Sequence, residues 1–212
     1  TSAKRRVTVT VTNEGHADLL LNMECSARLN GVPLDSLVVF AAQKALRDGL
    51  AARGIGAFYH DTFGEMPARS DRAFGSADFI CLMWLKIVAV WLPLSMGFDV
   101  LFVDDDLVWW RSIEHLLATG DAAGADVVIQ DDGSRRNDFS PTYGNTGKLL
   151  AVVLLAFGNP RTLYFMRELA FSYDMVYYRG THQGVFDTLL DEHLSRTGLT
   201  SVTLPEADMP GG

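Results

Sequence analysis

The sequence predicts an α/β domain in which a mostly parallel central sheet is flanked by helices. Three observations carry that prediction. Strand-like and helix-like segments alternate from the first residues onward, which is the order that builds parallel sheets with helices on both faces. The run FDVLFVDDDLVWW, residues 98–110, drives an apolar strand into three consecutive aspartates and resumes at once with Leu107, Val108, Trp109 and Trp110. Finally, 212 residues with 48% hydrophobic content suffice for one good core and not for two.

Element by element, Val7, Val9 and Val11 alternate with threonines, the period-two signature of a strand, which Asn13 and Gly15 close. Leu20, Met23 and Ala27 fall on one face of a helix over 17–29, and Gly31 with Pro33 ends it. SLVVFAA at 36–42 reads as a second buried strand, 44–53 as a helix and GAFYH at 56–60 as a third strand. Residues 61–77 are polar and broken by Gly64, Pro67 and Gly75, so a surface loop with the character of a lid is expected there. A long apolar helix follows over 79–98, then the acidic strand, a short helix around 113–118, the strand ADVVIQ at 125–130 and a loose polar stretch expected to border the site. Periodicity leaves LLAVVLLAF at 149–157 open between a strand and a buried helix. Helices fit 160–176 and 182–195. In such folds ligands collect beyond the carboxyl ends of the strands, where Thr12, Asn13 and the aspartates all fall.

Three carboxylates at the end of a buried strand repel one another and lose hydration, so they make sense chiefly where a cation neutralises them. All-oxygen ligation suits Mn2+ or Mg2+, which keep positions open for water and substrate phosphates. The competing reading is an acidic turn, against which stand the apolar residues pressing from both sides. Alternation along the strand sends Asp105 to the face opposite Asp104 and Asp106.

Composition narrows the partners. A net charge of −8 and a pI near 5.0 argue against a polyanion-binding surface, so no nucleic-acid partner is expected, and the basic run at Lys4 to Arg6 reads as the approach to the first strand. Cys25 and Cys81 lack metal-ligand spacing and read as buried thiols. The apolar run 79–98 is about as long as a bilayer span, but Lys86 at its centre would cost about 2.5–3.5 kcal/mol on insertion scales. With Pro93 near its end, it reads as a buried globular helix, and no membrane span is expected.

The order of residues resembles the nucleotide-diphospho-sugar transferase domain of glycosyltransferase family 77, which has the GT-A fold. The likeness runs from VTVTNEGHADLLLNMECSARLNG through Lys86 and FDVLFVDDDLVWWRSI to ADVVIQDDG, NTG at 145–147, NPRT at 159–162 and HQGVFDTLL at 182–190. It covers nearly the whole chain, 1–212, as one catalytic domain expected to be cut short at its C-terminus. The resemblance implies a single GT-A-like, Rossmann-like domain that moves a hexose or pentose from a nucleotide-sugar, a uridine diphosphate sugar by expectation, to a glycan or glycoprotein hydroxyl. It further implies dependence on Mn2+ or Mg2+, retention of anomeric configuration and, for eukaryotic relatives, residence in the Golgi lumen or secretory pathway.

By the same resemblance Asp104 and Asp106 form the Asp-x-Asp pair, Asp106 as the direct metal ligand and Asp104 nearer the ribose or a metal-bound water, with Asp105 behind them. Lys86 reads as a diphosphate contact, or as a lysine whose stem is buried and whose head reaches water. Thr12 and Asn13 would bond the uracil or ribose, or form a plain strand-to-helix turn. Asn145, Thr146 and Gly147 would lie near the sugar, and Gln183 beside the anomeric carbon. Two departures from the family stand out. His182 occupies a position where the family shows Asp, and an apolar run lengthens the chain between NTG and NPRT. They motivate an alternative, a degraded GT-A fold used for binding or assembly. An Asp-x-Asp phosphatase is a further alternative, with VFDTLLDE at 185–192 as a superficial echo; its Asp187 lies in a helical pattern.

Overall fold

In the computed structural model, residues 5–63, 76–114, 122, 124–130, 150–179 and 182–204 are described. The strands β1 (Arg6–Thr12), β2 (Leu37–Ala41), β3 (Ala57–Phe58), β4 (Asp99–Val103), β5 (Val127–Gln130), β6 (Leu150–Ala156) and β7 (Ser201–Leu204) form one sheet in the order β3-β2-β1-β4-β6-β5-β7. The first four run parallel, β6 runs antiparallel between β4 and β5, and β7 runs parallel to β5. From β1 the chain steps outward to β2 and β3 and then returns to lay β4 on the other side of β1. That reversal is a topological switch point, the place where open α/β sheets leave a crevice at their carboxyl edge.

Helices α1 (Ala17–Leu29), α2 (Lys44–Ala52), α3 (Ala77–Ser95), α4 (Pro160–Ala170), α5 (Tyr173–Arg179) and α6 (Gln183–Arg196) cover the sheet. Alternate strand residues serve opposite layers. Val9, Val100, Phe102 and Ile129 pack with Leu85 and Ala89 of α3, Phe165 of α4 and Val185 of α6. Val39, Leu101, Val103 and Val128 pack with Leu20 and Met23 of α1 and Leu50 of α2. Both faces are therefore buried, and the threonines of β1, polar in pattern, are buried too: Thr10 is wholly enclosed.

Local chemistry sets the helix ends. Ser76 caps α3 by accepting from the Phe79 amide, and the helix stops at Gly97, whose φ of 87° lets the Phe98 amide return to the Pro93 carbonyl. By length and composition alone α3 could cross a membrane, yet its Leu85, Ile87, Val88 and Ala89 are buried inside the protein.

Several expectations are corrected. The third strand shrinks from 56–60 to Ala57–Phe58, which pair with Val39 and Phe40 of β2 at the edge of the sheet. The expected helix 160–176 is two helices: it breaks at Phe171 and Ser172, where the serine hydroxyl bonds the Glu168 carbonyl. The apolar run before Asn159 is the antiparallel strand β6, with Leu154, Leu155 and Ala156 buried between its two neighbours. Both cysteines are free and half-buried rather than buried. Strand β7 lacked a strand prediction. The lid-like loop, apart from a 3-10 turn at Asp61–Phe63 and Ser76 and Ala77 at the start of α3, lies outside the described residues, as do most of the short helix around 113–118 and the polar stretch 131–145.

Candidate active site

Register places the aspartates. Val9 of β1 faces Phe102 of β4, so the chain just past β4 comes level with Thr12 at the end of β1. Asp104 sits on the α3 side of the sheet, where Lys86 Nζ donates to its Oδ1 at 2.5 Å, both side chains being 18% exposed. The same ammonium lies 5.9 Å from the centroid of the Phe102 ring. Asp105 turns to the α1 side, its Oδ1 3.5 Å from His16 Nδ1 and its carboxylate within hydrogen-bonding reach of Thr12. Asp106 projects outward and is exposed. Asp104 and Asp105 thus keep the strand's alternation.

Burial lifts the pKa of Asp104 above the ordinary carboxylate value; Lys86 opposes that rise, and the neighbouring Asp106 and Asp105 charges add to it. Asp105 is raised for the same leading reason, against the pull of Thr12, His16 and Lys86. Asp105 Oδ2 is enclosed and has no hydrogen-bond partner among the described residues. Enclosure is thus the leading cause of both shifts, and it outweighs the pull of Lys86. Among the described residues no three His, Cys, Asp or Glu side chains converge as a protein-only metal cage. Asp104 and Asp106 fit a hard cation that draws its remaining ligands from water and phosphate oxygens.

Neighbouring loops hold the turn rigidly. Asn13 caps the 3-10 turn Glu14–His16 by accepting from the His16 amide at 3.0 Å, and Gln43, just past β2, accepts from the Glu14 amide at 3.0 Å. These bonds aim His16 at Asp105. His16 was missed in the sequence, although its place directly after the Asn13 turn was the available signal. On the far side, Trp109 is buried against α1; its amide donates to Ser26 Oγ at 2.9 Å, and Asn30 donates to its carbonyl at 2.8 Å. The Trp after the aspartates is thus the anchor of their loop.

At the start of α6, Gln183 is half-buried and His182 is buried, its pKa pushed down to about 3 by enclosure first and by the Lys86 charge second. His182, just before α6, thus lies within electrostatic reach of Lys86. His182 Nδ1 has no partner among the described residues. Asn145, Thr146 and Gly147 lie outside the described residues. His193 points its Nε2 at Glu168, 2.8 Å away, and packs against Phe165, which ties α6 to α4. The NPRT segment is likewise structural: Asn159 caps α4, and Arg161 grips the buried Asp126 with two bonds of 2.8 and 2.9 Å. Asp187 lies inside α6 and is buried, unlike a strand-end nucleophile. A small cleft at the ends of β2 and β3, beside α3, is lined by Phe40, Ala42, Phe58, Tyr59 and His60.

A mostly parallel sheet with an acidic turn at its switch point is a GT-A-like α/β fold. A glycosyltransferase involved in glycosylation of the major capsid of PBCV-1 superposes with a TM-score of 0.50 at 6% identity, over 95% of this chain and 83% of that one. Glucosyl-3-phosphoglycerate synthase from Mycobacterium tuberculosis gives a TM-score of 0.47 at 18% identity, over 96% of this chain and 71% of that one. An uncharacterized protein of Arabidopsis thaliana is 29% identical over 79 residues, which is 37% of this chain and 24% of that protein's length. Residues 33–211 match the nucleotide-diphospho-sugar transferase family, and the chain belongs to it.

Proposed function

We propose that this protein is a metal-dependent glycosyltransferase that moves a hexose or pentose from a uridine diphosphate sugar to a glycan or glycoprotein hydroxyl, with retention of configuration. The observation that carries the reading is the turn Asp104 to Asp106, three consecutive carboxylates at the switch-point crevice with Asp104 half-buried, Asp105 buried and Asp106 exposed. Asp106, exposed beside the crevice, would take Mn2+ or Mg2+ directly, with Asp104 as the second carboxylate. Such an ion, when bound, neutralises a diphosphate leaving group without a proton. Asp105, braced by Thr12 and His16, holds the turn in shape.

Lys86 already has an anion in Asp104 and adds its charge to the same pocket, where a diphosphate would share it. Thr12 and Asn13, at the end of β1, would stand near the uracil or ribose. Gln183 would stand beside the anomeric carbon, and Asn145, Thr146 and Gly147 around the sugar. Within the family, the motif order favours glycosyltransferase family 77 and a secretory-pathway setting.

The Lys86–Asp104 pair also favours a second reading, in which the lysine has taken over the cation's place and the fold only binds its ligand. Turnover separates the two. Manganese-dependent release of uridine diphosphate from a panel of its sugars, abolished by chelator, is the expected result. Binding without release in any member of the panel would favour the second reading, and phosphate release from a simple monoester would favour a phosphatase.

A further inference from the structure

Among the described residues Lys86 has one salt-bridge partner, Asp104, whose Oδ1 lies 2.5 Å from Nζ. The rest of its surroundings supply no second anion. The Phe102 ring lies 5.9 Å away. His182, within electrostatic reach of the ammonium, is buried, and that enclosure keeps its imidazole uncharged at neutral pH. Asp105 feels the Lys86 charge but turns to the α1 side, where His16 and Thr12 engage it, and Asp106 is exposed at the end of the turn.

Asp104 is also the second carboxylate offered above to a divalent cation. An ammonium and a divalent ion drawn to one carboxylate repel each other, and in a pocket that leaves the lysine and aspartate side chains 18% exposed the repulsion is weakly screened. Lys86 has no cheap escape. It leaves α3 between the buried Leu85 and Ile87, and giving up its partner strands an enclosed charge. A diphosphate resolves the conflict, because its oxygens carry enough negative charge to answer the ion and the ammonium together.

We propose that Lys86 couples the two ligands of the donor site: it opposes the cation while no diphosphate is present and favours it once one is bound, so that ion and nucleotide enter as a unit. The proposal rests on the metal-dependent donor reading and adds to it an energetic linkage between cation and diphosphate. Linkage is reciprocal. The factor by which uridine diphosphate strengthens Mn2+ binding is the factor by which Mn2+ strengthens the nucleotide.

The test titrates Mn2+, alone and with uridine diphosphate, into the wild type, Lys86→Met and Lys86→Gln. Electron paramagnetic resonance counts the bound ion, and circular dichroism checks the fold. Glutamine keeps a hydrogen bond to Asp104 without the charge, which provides a second neutral variant should the methionine variant not fold. Both neutral variants are expected to bind Mn2+ alone about tenfold more tightly than the wild type, and to gain about tenfold less from uridine diphosphate. Contact between the ion and phosphate oxygens strengthens binding in every variant, so the difference between proteins isolates the lysine. Equal Mn2+ affinity in the three proteins, or an equal gain from the nucleotide in all three, would overturn the coupling and leave the donor reading intact. Mn2+ bound by the wild type equally with and without the nucleotide would overturn the coupling whatever the variants do, and no effect of the nucleotide on any protein would overturn the donor reading as well. A wild type that binds no Mn2+ under either condition would overturn the coupling in favour of a lysine that replaces the ion.

Discussion

Lys86 and Asp104 show how little of a side chain's role its identity reveals. In the sequence the lysine was poised between a diphosphate contact and a snorkelling helix residue; the structure gives it a third occupation, pairing with the first aspartate of the turn. Removing one partner of an enclosed ion pair leaves the other charge stranded. Lys86→Met is therefore expected to cost about 3 kcal/mol at neutral pH with chelator present. Urea unfolding would detect the loss, and acidification should recover part of it as Asp104 takes up a proton. A variant as stable as wild type would show that the pair is not formed.

His182 gives a pH signature. Its pKa in the folded protein is pushed down to about 3, against 6.5 for an ordinary histidine, because the imidazole is enclosed and, secondarily, because the Lys86 charge acts on it. As pH falls the unfolded chain takes up this proton first, so the contribution to stability is complete above about pH 6.5 and drains away toward about pH 3. Replacement by a side chain that does not titrate, His182→Asn, should flatten the stability profile between pH 7 and 4.5. Parallel profiles for the two proteins would contradict the burial.

Among the elements, α4 is the best example of a function-like motif that turns out to be structural. Asn159 accepts from the amides of Arg161 and Thr162 and donates to Asp126, and Arg161 closes on the same carboxylate. Asn159→Ala should lower stability by about 1–2 kcal/mol, measured by urea unfolding, without changing donor affinity. Loss of donor binding at unchanged stability would contradict the structural role. Helix α1 was legible to the residue because its apolar spacing and the Gly31 stop agree. Strand β6 was not, since an apolar run in the middle of a sheet has no polar face to reveal its period. The break after α4 was hidden for a different reason: a serine bonding backward interrupts a helix without changing its pattern.

For the molecule as a whole, alternation of elements was enough to forecast a mostly parallel sheet with two helical layers, because each strand's two faces must find apolar cover. The site was legible in part. An acidic turn after a buried strand announces itself, and Thr12 and Lys86 fall beside it as their positions suggested. The link between Asp105 and His16, and the approach of His182 to Lys86, depend on contacts between distant segments that no local pattern encodes.

The central claim is that the turn's carboxylates hold a cation that holds the donor's diphosphate. Calorimetric titration of uridine diphosphate sugars into the wild type and Asp106→Ala, each with Mn2+ and with chelator, tests it most directly. Donor binding should appear with Mn2+ in the wild type and vanish in a variant that is still folded; equal donor affinity in the two proteins would show that these carboxylates do not hold the donor through a cation.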